Sequence, residues 1–446
     1  MDIIGSNRRE VDQKIRESLL MPIRGVLTDE RIEAAFCQTS RCRRRCKFDS
    51  VVTLLSCILQ HLRAVSTRSI ENSLNLLGGD RTHNSNADGA DFCRARLAIP
   101  LAVFRKILRF LGQEIQRPDA ALWRGLTVYY ADGTTLPMFN SKKNRAAFGG
   151  SCNQNGESRM PIARLVMLVS AGAIVDLVCG PYASGELRLF WPLLRQLPAD
   201  SLVVGDTLYN SFFNMASAQA RASHMLCKSR AQRHANVIGI LGPGDHLHGW
   251  TKPRREHTLF ASVWASLPST LTVRVITHTV RRKGYRDYVL TLTTTLLDPV
   301  RYPAEELVTL YLSRWNIELD LRALKANHGW ARLKCKTPQS VHREIFSGAL
   351  AFNAVRLMMS QSGQPIRKLS HSGARCILLK TAWRMSAAKT ELLPTLLNCA
   401  LVIIANQILD KQERPPQPRL LAYNLRRYGF LKTTRAQWSK ENGVAS

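Results

Sequence analysis

Acidic residues are in short supply in this chain: 33 Asp and Glu stand against 63 Lys and Arg over 446 residues, a formal net charge of +30. Such an imbalance opposes the chain's own compaction and attracts polyanions at long range, so a neutralising partner is expected. Charge alone leaves DNA, RNA and acidic membrane open. Long apolar runs are missing as well. The best candidates, residues 165–175 and 396–404, fall short of a membrane span and read as a strand pair and a core helix. The opening residues, MDIIGSNRRE, lack the ordered charged, apolar and small-residue regions of a secretion signal. The 11 cysteines form no disulfide framework and fit small buried hydrophobes in a reducing cytoplasm. There is no internal repeat.

What is present is otherwise ordinary. Hydrophobic residues make up 45% and charged residues 22%, the proportions of a soluble globular protein long enough for two or three cored domains. The basic residues are spread along the whole chain, which points to a folded surface facing nucleic acid rather than to one basic tail. The densest cluster is Arg41-Cys-Arg-Arg-Arg-Cys-Lys47, with Arg43, Arg44 and Arg45 at its centre.

Residues 1–118 read as a helical region: apolar residues recur at helical spacing over 51–62 and 101–111, and a helix from Ser66 stops at Gly78-Gly79. A polar loop then leads into a basic helix carrying Arg94 and Arg96. The pattern changes near Leu126. Thr127-Val128-Tyr129-Tyr130 is a short β-rich run expected to end at Asp132-Gly133, and 165–169 with 173–178 reads as a hairpin. A helix from Glu186, an apolar strand at 202–204 ending at Gly205-Asp206, and a strand at 225–228 complete an α/β layout with a mixed sheet over 119–229. Residues 230–303 read as a β-rich insertion. Pro303 opens one long helix to about residue 327 within a segment 304–340, and 341–446 is helical with a basic, proline-bearing tail.

Three acids are singled out by position. Asp132 and Asp206 each follow a short apolar strand, and if those strands are neighbours both carboxylates emerge at one sheet edge, where open α/β sheets place their sites. Two carboxylates held close repel, and a pair of hard divalent cations relieves this. Glu318 comes from a helix. At 100° per residue, Tyr311, Arg314, Glu318 and Lys325 fall within about 60° of arc. Glu318 thus supplies a third metal ligand while Arg314 and Lys325 grip flanking phosphates.

The run Tyr-Leu-Ser-Arg-Trp-Asn-Ile-Glu-Leu-Asp-Leu-Arg-Ala-Leu-Lys (311–325) carries Y-x2-R-x3-E-x6-K. It resembles the signature of bacterial DDE transposases of the insertion-sequence-four family. Asp132-Gly-Thr-Thr and Gly-Asp206-Thr-Leu-Tyr-Asn resemble that family's two aspartate motifs. Gly180-Pro-Tyr-Ala-Ser-Gly-Glu, Leu296-Leu-Asp-Pro and Phe92-Cys-Arg-Ala-Arg-Leu97 resemble further landmarks, over roughly residues 20–360 in all. The resemblance implies an RNase H-like mixed sheet with flanking helices, interrupted by the β-rich insertion before the glutamate helix. It implies a helical N-terminal region that binds terminal inverted repeats of double-stranded DNA. Cut-and-paste transposition through hairpin ends, Mg²⁺ with Mn²⁺ as a substitute, and a synaptic homodimer at the bacterial nucleoid are further implications. So are Tyr311, Arg314 and Lys325 as holders of terminal phosphates, and a tryptophan of the insertion, Trp250 or Trp264, that stacks on a flipped base.

Blander readings compete. Asp132 before glycine suits a turn, Asp206 suits a helix cap, and Arg–Glu pairs at i,i+4 are common on solvated helix faces. Asp320 is the rival to Glu318 but points roughly 200° away on a regular helix. Cys37, Cys42, Cys46 and His61 lack a Cys-x2-Cys zinc knuckle. Asp245, His246 and His248 follow what reads as a turn and surface loop. Two alternatives of function remain, a transposase-derived DNA-binding protein without cleavage and an RNase H-like nuclease without strand transfer.

Overall fold

Strand β3 (Ile162–Ser170) sends Leu165, Met167 and Val169 to one face and Val166 and Leu168 to the other, and all five are buried. The alternation follows from the two-residue period of a strand, and a run apolar on both faces marks a sheet covered on both sides. In this computed structural model, residues 19–37, 48–63, 90–116, 122–151, 160–229, 236–254, 261–281 and 287–409 are described, with a few isolated positions besides. Arg43, Arg44 and Arg45, most of the helix expected from Ser66, and the C-terminal tail lie outside them.

Helices α1 (Met21–Arg24), α2 (Asp29–Cys37), α3 (Ser50–Arg63), α4 (Ala90–Ala98) and α5 (Leu101–Ile115) come first, as the helical periodicity predicts. There follow β1 (Leu122–Trp123), β2 (Leu126–Pro137), α6 (Lys142–Phe148), β3, β4 (Ala173–Pro181), α7 (Glu186–Leu194), β5 (Ser201–Gly205), α8 (Phe212–Gln219) and β6 (His224–Lys228). The expected insertion contains β7 (Asn236–Gly242), β8 (Asp245–Thr251), α9 (Ala261–Ser266), β9 (Thr270–Val280) and β10 (Tyr288–Thr294). Helices α10 (Ala304–Leu312), α11 (Trp315–Asn327), α12 (Pro338–Gln361), α13 (His371–Ser386) and α14 (Leu393–Ala405) close the described chain.

The strands form one mixed sheet in the order β4-β3-β2-β5-β6-β10-β9-β8-β7, with β1 paired to β2. β5 lies parallel to β2 and to β6, whereas β3 and β4 run antiparallel. β10 pairs antiparallel with β6, from Leu292↔Lys228 to Thr294↔Leu226. The insertion thus interrupts the sequence without interrupting the sheet.

Each face of the sheet carries its own core. On one, Leu165, Met167 and Val169 pack with residues of α3, α5 and α12. Helix α12 is the central strut: Thr337 caps it by accepting from Ser340 N–H, and from Ala349 to Met359 every residue is buried. Each fully buried Leu or Phe there is worth about 1.5–3 kcal/mol. On the other face, Val166, Leu168 and Val203 pack with α7 and α8, and the cluster extends to Trp250 and Trp264. The contacts divide the chain into Met1–His278 with Leu290–Leu409, and a small unit of Thr279–Val289 with Asp410–Ser446. The small unit contains an exposed Arg281–Asp287 ion pair at 3.5 Å.

One helix was expected from 304 to 327, and the structure has two. The break falls at Ser313 and Arg314. Arg314 N–H donates to Tyr311 C=O at 3.0 Å, a tightened three-residue turn. Ser313 Oγ donates back to Leu310 C=O at 2.6 Å and hydrogen-bonds the Tyr130 hydroxyl at 2.5 Å. A back-bonding serine tied to the sheet bends the helix here.

Candidate active site

The parallel register of β2 with β5 runs from Thr127↔Ser201 to Tyr130↔Val204. Asp132 lies two residues beyond Tyr130 and Asp206 two beyond Val204, so the two aspartates stand level at the end of this pairing. β5 stops at Gly205, which leaves Asp206 just past its strand, as expected. Asp132 does not terminate its strand. β2 continues through it to Pro137, because antiparallel pairing with β3 persists from Asp132↔Met167 to Pro137↔Ile162. The turn reading of Asp132 therefore fails. Asp206 Oδ1 accepts from Leu208 N–H at 2.7 Å, but helix α8 is capped by Ser211, so the cap reading fails too.

Glu318 sits in the first turn of α11, whose Ile317, Leu321 and Leu324 are buried against the sheet. Arg314, 16% exposed, lies between two of the acids: its guanidinium is 3.7 Å from Asp132 Oδ2 and 3.1 Å from Glu318 Oε1. It also lies 6.0 Å from the ring centroid of Tyr311, which is buried. Lys325, on the same stripe, is partly buried. Burial pushes the Asp132 carboxyl up to about 6, opposed by the Gly133 N–H and Arg314 and reinforced by the charges of Asp206 and Glu318. Asp132 thus feels both other acids, and among the described residues Arg314 is the cation that opposes them.

These are hard oxygen donors of the kind that take Mg²⁺ or a similar divalent cation. Among the described residues no three acids, histidines or cysteines close into a ready-made cage. That geometry is compatible with a cation that keeps several waters and binds through one or two carboxylates at a time. The donor set fits, with Arg314 as counter-ion in the present state.

Asp320, the rival to Glu318, is held in a buried ion-pair network. It is fully buried and bonds Arg356 at 2.7 Å and Arg367 at 2.7 and 2.8 Å. Arg94 is exposed and pairs with Asp91 one helical turn away. Arg96 departs from the expectation of a phosphate-facing residue: it is 5% exposed, bonding Gln60 at 3.2 Å and Cys335 Sγ at 3.3 Å. The reason is helical phase, since Phe92, Ala95 and Arg96 form the inward stripe of α4. Trp250 and Trp264 are also buried, Trp264 stacked on Phe213 with centroids 6.3 Å apart. Asp245 lies in strand β8 rather than a surface loop and pairs at 2.5 Å with the fully buried Arg274. His61 Nδ1 donates to the His328 carbonyl at 2.8 Å inside the core, while Cys42 and Cys46 lie outside the described residues.

Two residues near the acids were not singled out from sequence. Glu186, at the first turn of α7, packs on Gly133, and burial raises its pKa, with Asp206 adding to the rise and Arg164 opposing it. Tyr209 is fully buried, its ring against Gly205. In the sequence Glu186 stands only as the last residue of the Gly180–Glu186 landmark, and Tyr209 only as the Tyr of the second aspartate motif.

The comparisons agree with this architecture. Residues 123–354, which contain the whole constellation, match the family described as "Transposase DDE domain". The chain belongs to the family of DDE transposases. It is similar to "Transposase InsG for insertion sequence element IS4" of Escherichia coli (strain K12), 27% identical over 287 residues, 62% of this chain. The match spans 63% of that relative's length, a little under two thirds.

Proposed function

We propose that this chain is an active DNA transposase that cleaves the ends of an insertion sequence and joins the freed 3′ ends to target DNA. Asp132, Asp206 and Glu318 would hold the divalent cations, Mg²⁺ with Mn²⁺ as a substitute. The observation that carries the reading is the β2–β5 register, which brings the two aspartates level while α11 presents Glu318 toward Arg314 and Asp132. When bound, the cations would supply Lewis acidity to the reacting phosphate.

The chain's own residues do the rest. The buried setting of Asp132 strengthens its attraction for a cation, because low solvation leaves its charge poorly compensated. Arg314 would be free, where Glu318 holds a cation instead, to meet a phosphate oxygen with two parallel N–H donors. Lys325 lies about two turns beyond Glu318 on the same stripe and would add a second phosphate contact. Tyr311 presents a phenol beside Arg314. The helical N-terminal region, with exposed Arg94 and the Arg43–Arg45 cluster, is assigned to the terminal inverted repeats, and the net charge of +30 supports a polyanionic partner. A synaptic homodimer, hairpin ends and a nucleoid setting complete the proposal. Among the described residues, no helix is long and apolar enough to cross a membrane.

The test is a cleavage and joining assay on the DNA flanking the chain's own gene, with Mg²⁺ or Mn²⁺, comparing wild type with Glu318→Gln. Metal-dependent nicking and joining lost in the variant, with end binding retained, is the expected result. Binding without cutting under either metal would leave a DNA-binding protein, and cutting without joining a nuclease.

A further inference from the structure

One cavity lies apart from the three acids, between the N-terminal helices and the segment that follows α11. Its volume is about 490 Å³, room enough for a nucleotide. Gln60 of α3, Arg96 of α4 and Ser340 of α12 line it together with Lys334, Lys336 and Glu344. Leu333 N–H donates to the Pro137 carbonyl, and Phe139 N–H to the Leu333 carbonyl, both at 2.9 Å. The segment is thereby tied to the end of β2, the strand that bears Asp132. From Asp132 to Pro137 extended chain covers about 17 Å. From Glu318 to Asn327 helix α11 covers about 14 Å. The cavity therefore stands roughly five base steps of duplex DNA from the acids, at about 3.4 Å per step.

Cations outnumber acids there. Lys334 and Lys336 are exposed at the rim, and Arg96 is buried in the wall. Against these three stands Glu344, whose two oxygens already accept from the N–H groups of Lys334 and Cys335 at 2.8 and 2.9 Å. Among the described residues none of the three cations forms an ion pair. Lys336 Nζ lies 5.3 Å from the Phe139 ring centroid, a contact that holds the ammonium without neutralising it. Arg96 donates to Gln60 and to Cys335 Sγ, and its Nε has no hydrogen-bond partner. Burial lowers the basicity of His61 and pushes the Cys335 thiol up to about 12, so neither alters the sum. Three cations less one carboxylate leave an excess of two positive charges, and a buried charge without a counter-ion is costly. Helix α12 adds to the same field. Thr337 and Ser340, at its N-terminus, face the cavity, where the helix dipole favours an anion.

We propose that this cavity binds the phosphate of a nucleotide, with Lys334 and Lys336 on the phosphate oxygens and Arg96 supplying charge from the wall. The nucleotide belongs to the DNA strand held at the acids, about five base steps along it. That source rests on the transposase reading, whereas the phosphate site itself does not.

Cys93 also lines the cavity and reports on it, and the exposed Cys376 and Cys399 serve as controls. Alkylation of each by N-ethylmaleimide is followed by mass spectrometry on the full chain, with a chelator present so that the acids hold no cation. Inorganic phosphate, adenosine monophosphate and a duplex from the ends of the chain's own gene are added in turn. Adenosine monophosphate and the duplex are expected to slow Cys93 at least tenfold and to leave the controls unchanged. The double variant Lys334→Gln, Lys336→Gln is expected to lose that protection, with circular dichroism checking its fold. Protection retained in the double variant, no protection by any probe, or equal slowing of the controls would overturn the proposal. Protection by inorganic phosphate or adenosine monophosphate but not by the duplex would overturn the DNA source and uphold the phosphate site. Metal-dependent cleavage by the wild type, measured alongside, keeps the two readings apart: protection of Cys93 without any cleavage would sink the transposase reading and leave the phosphate site standing.

Discussion

Replacing Asp132 with Asn separates the electrostatic cost of the site from its packing. The two side chains have nearly the same shape, and an amide oxygen can still accept from the Gly133 N–H, 2.9 Å away in the wild type. Arg314 keeps Glu318 as a partner at 3.1 Å. What changes is the charge. Asp132 is 17% exposed on its side chain, and burial raises its carboxyl to about 6, above the influence of Arg314 at 3.7 Å. Relative to an ordinary aspartate near 3.9, that rise corresponds to about 3 kcal/mol, an upper bound given the residual exposure. The folded chain holds this proton more tightly than the unfolded chain does. Below about pH 4 both states are protonated, and Asp132 costs nothing. Between about pH 4 and 6 the unfolded chain ionises first, so stability falls as pH rises, and above about pH 6 the full cost is present. Asp132→Asn is therefore expected to match the wild type near pH 4 and to exceed it by about 2–3 kcal/mol at neutral pH, in urea unfolding with a chelator present. Divalent cation should narrow the difference by compensating the carboxylate. A difference that does not vary with pH, or a variant less stable than the wild type at pH 7, would refute the reasoning.

Asp320→Asn is expected to cost about 3–5 kcal/mol in urea unfolding, because Arg356 would be left buried without its carboxylate, while Glu318→Gln should cost under about 1 kcal/mol. Equal costs would mean that the two acids have been assigned the wrong way round. Tyr209→Phe removes a buried hydroxyl that has no partner among the described residues and should stabilise the cation-free chain by about 1 kcal/mol, and a loss of stability would show that the hydroxyl is satisfied. Trp264→Ala should destabilise the chain by about 3–5 kcal/mol, since its ring packs with Phe212 and Phe213. A stable variant defective only in processing of DNA ends would instead favour the base-stacking role.

The parts of the site visible in sequence are those encoded locally. The apolar run ending at Asp206, and the i, i+4 placement of Arg314 and Glu318, are patterns of near neighbours, and they survive folding, although Tyr311 ends up on the preceding helix. Most departures from the sequence pattern depend on a distant partner. Asp132 looked like the end of a strand because Thr127–Tyr130 carries the β-rich character, yet β3 pairs onward to Pro137 and keeps the strand extended. The glutamate helix looked continuous because nothing in its sequence reports that Ser313 will be tied to Tyr130, 183 residues earlier. Arg96 looked like a surface cation because its charge outweighed its phase, although its spacing from Phe92 already placed it on the inward stripe. The insertion was legible as β-rich but not as an extension of the core sheet, since the β6–β10 pairing is not written in either strand alone. Glu186 escaped notice because a first-turn glutamate is unremarkable until Gly133 is seen beneath it.

The charge of this chain has a consequence for how the site must work. A molecule of net charge +30 draws DNA to itself wherever phosphates can reach lysine and arginine, and that attraction weakens steeply with salt. Under the proposed function a reacting phosphate has to enter a place where acids are gathered, and there the field of Asp132, Asp206 and Glu318 would repel it. Arg314 offsets part of that repulsion, but one guanidinium shared between Asp132 and Glu318 cannot neutralise three carboxylates. Binding and cutting should therefore separate experimentally. Raising monovalent salt should weaken DNA binding across all sequences, whereas withdrawing divalent cation should leave binding largely intact and stop cleavage. Measured side by side on the same DNA ends, retained binding with cleavage lost on chelation is the expected pattern. A loss of binding on chelation equal to the loss of cleavage would mean that the cations hold the DNA to the protein, and that Arg314 and the basic surface do not suffice to bring the phosphate into the site.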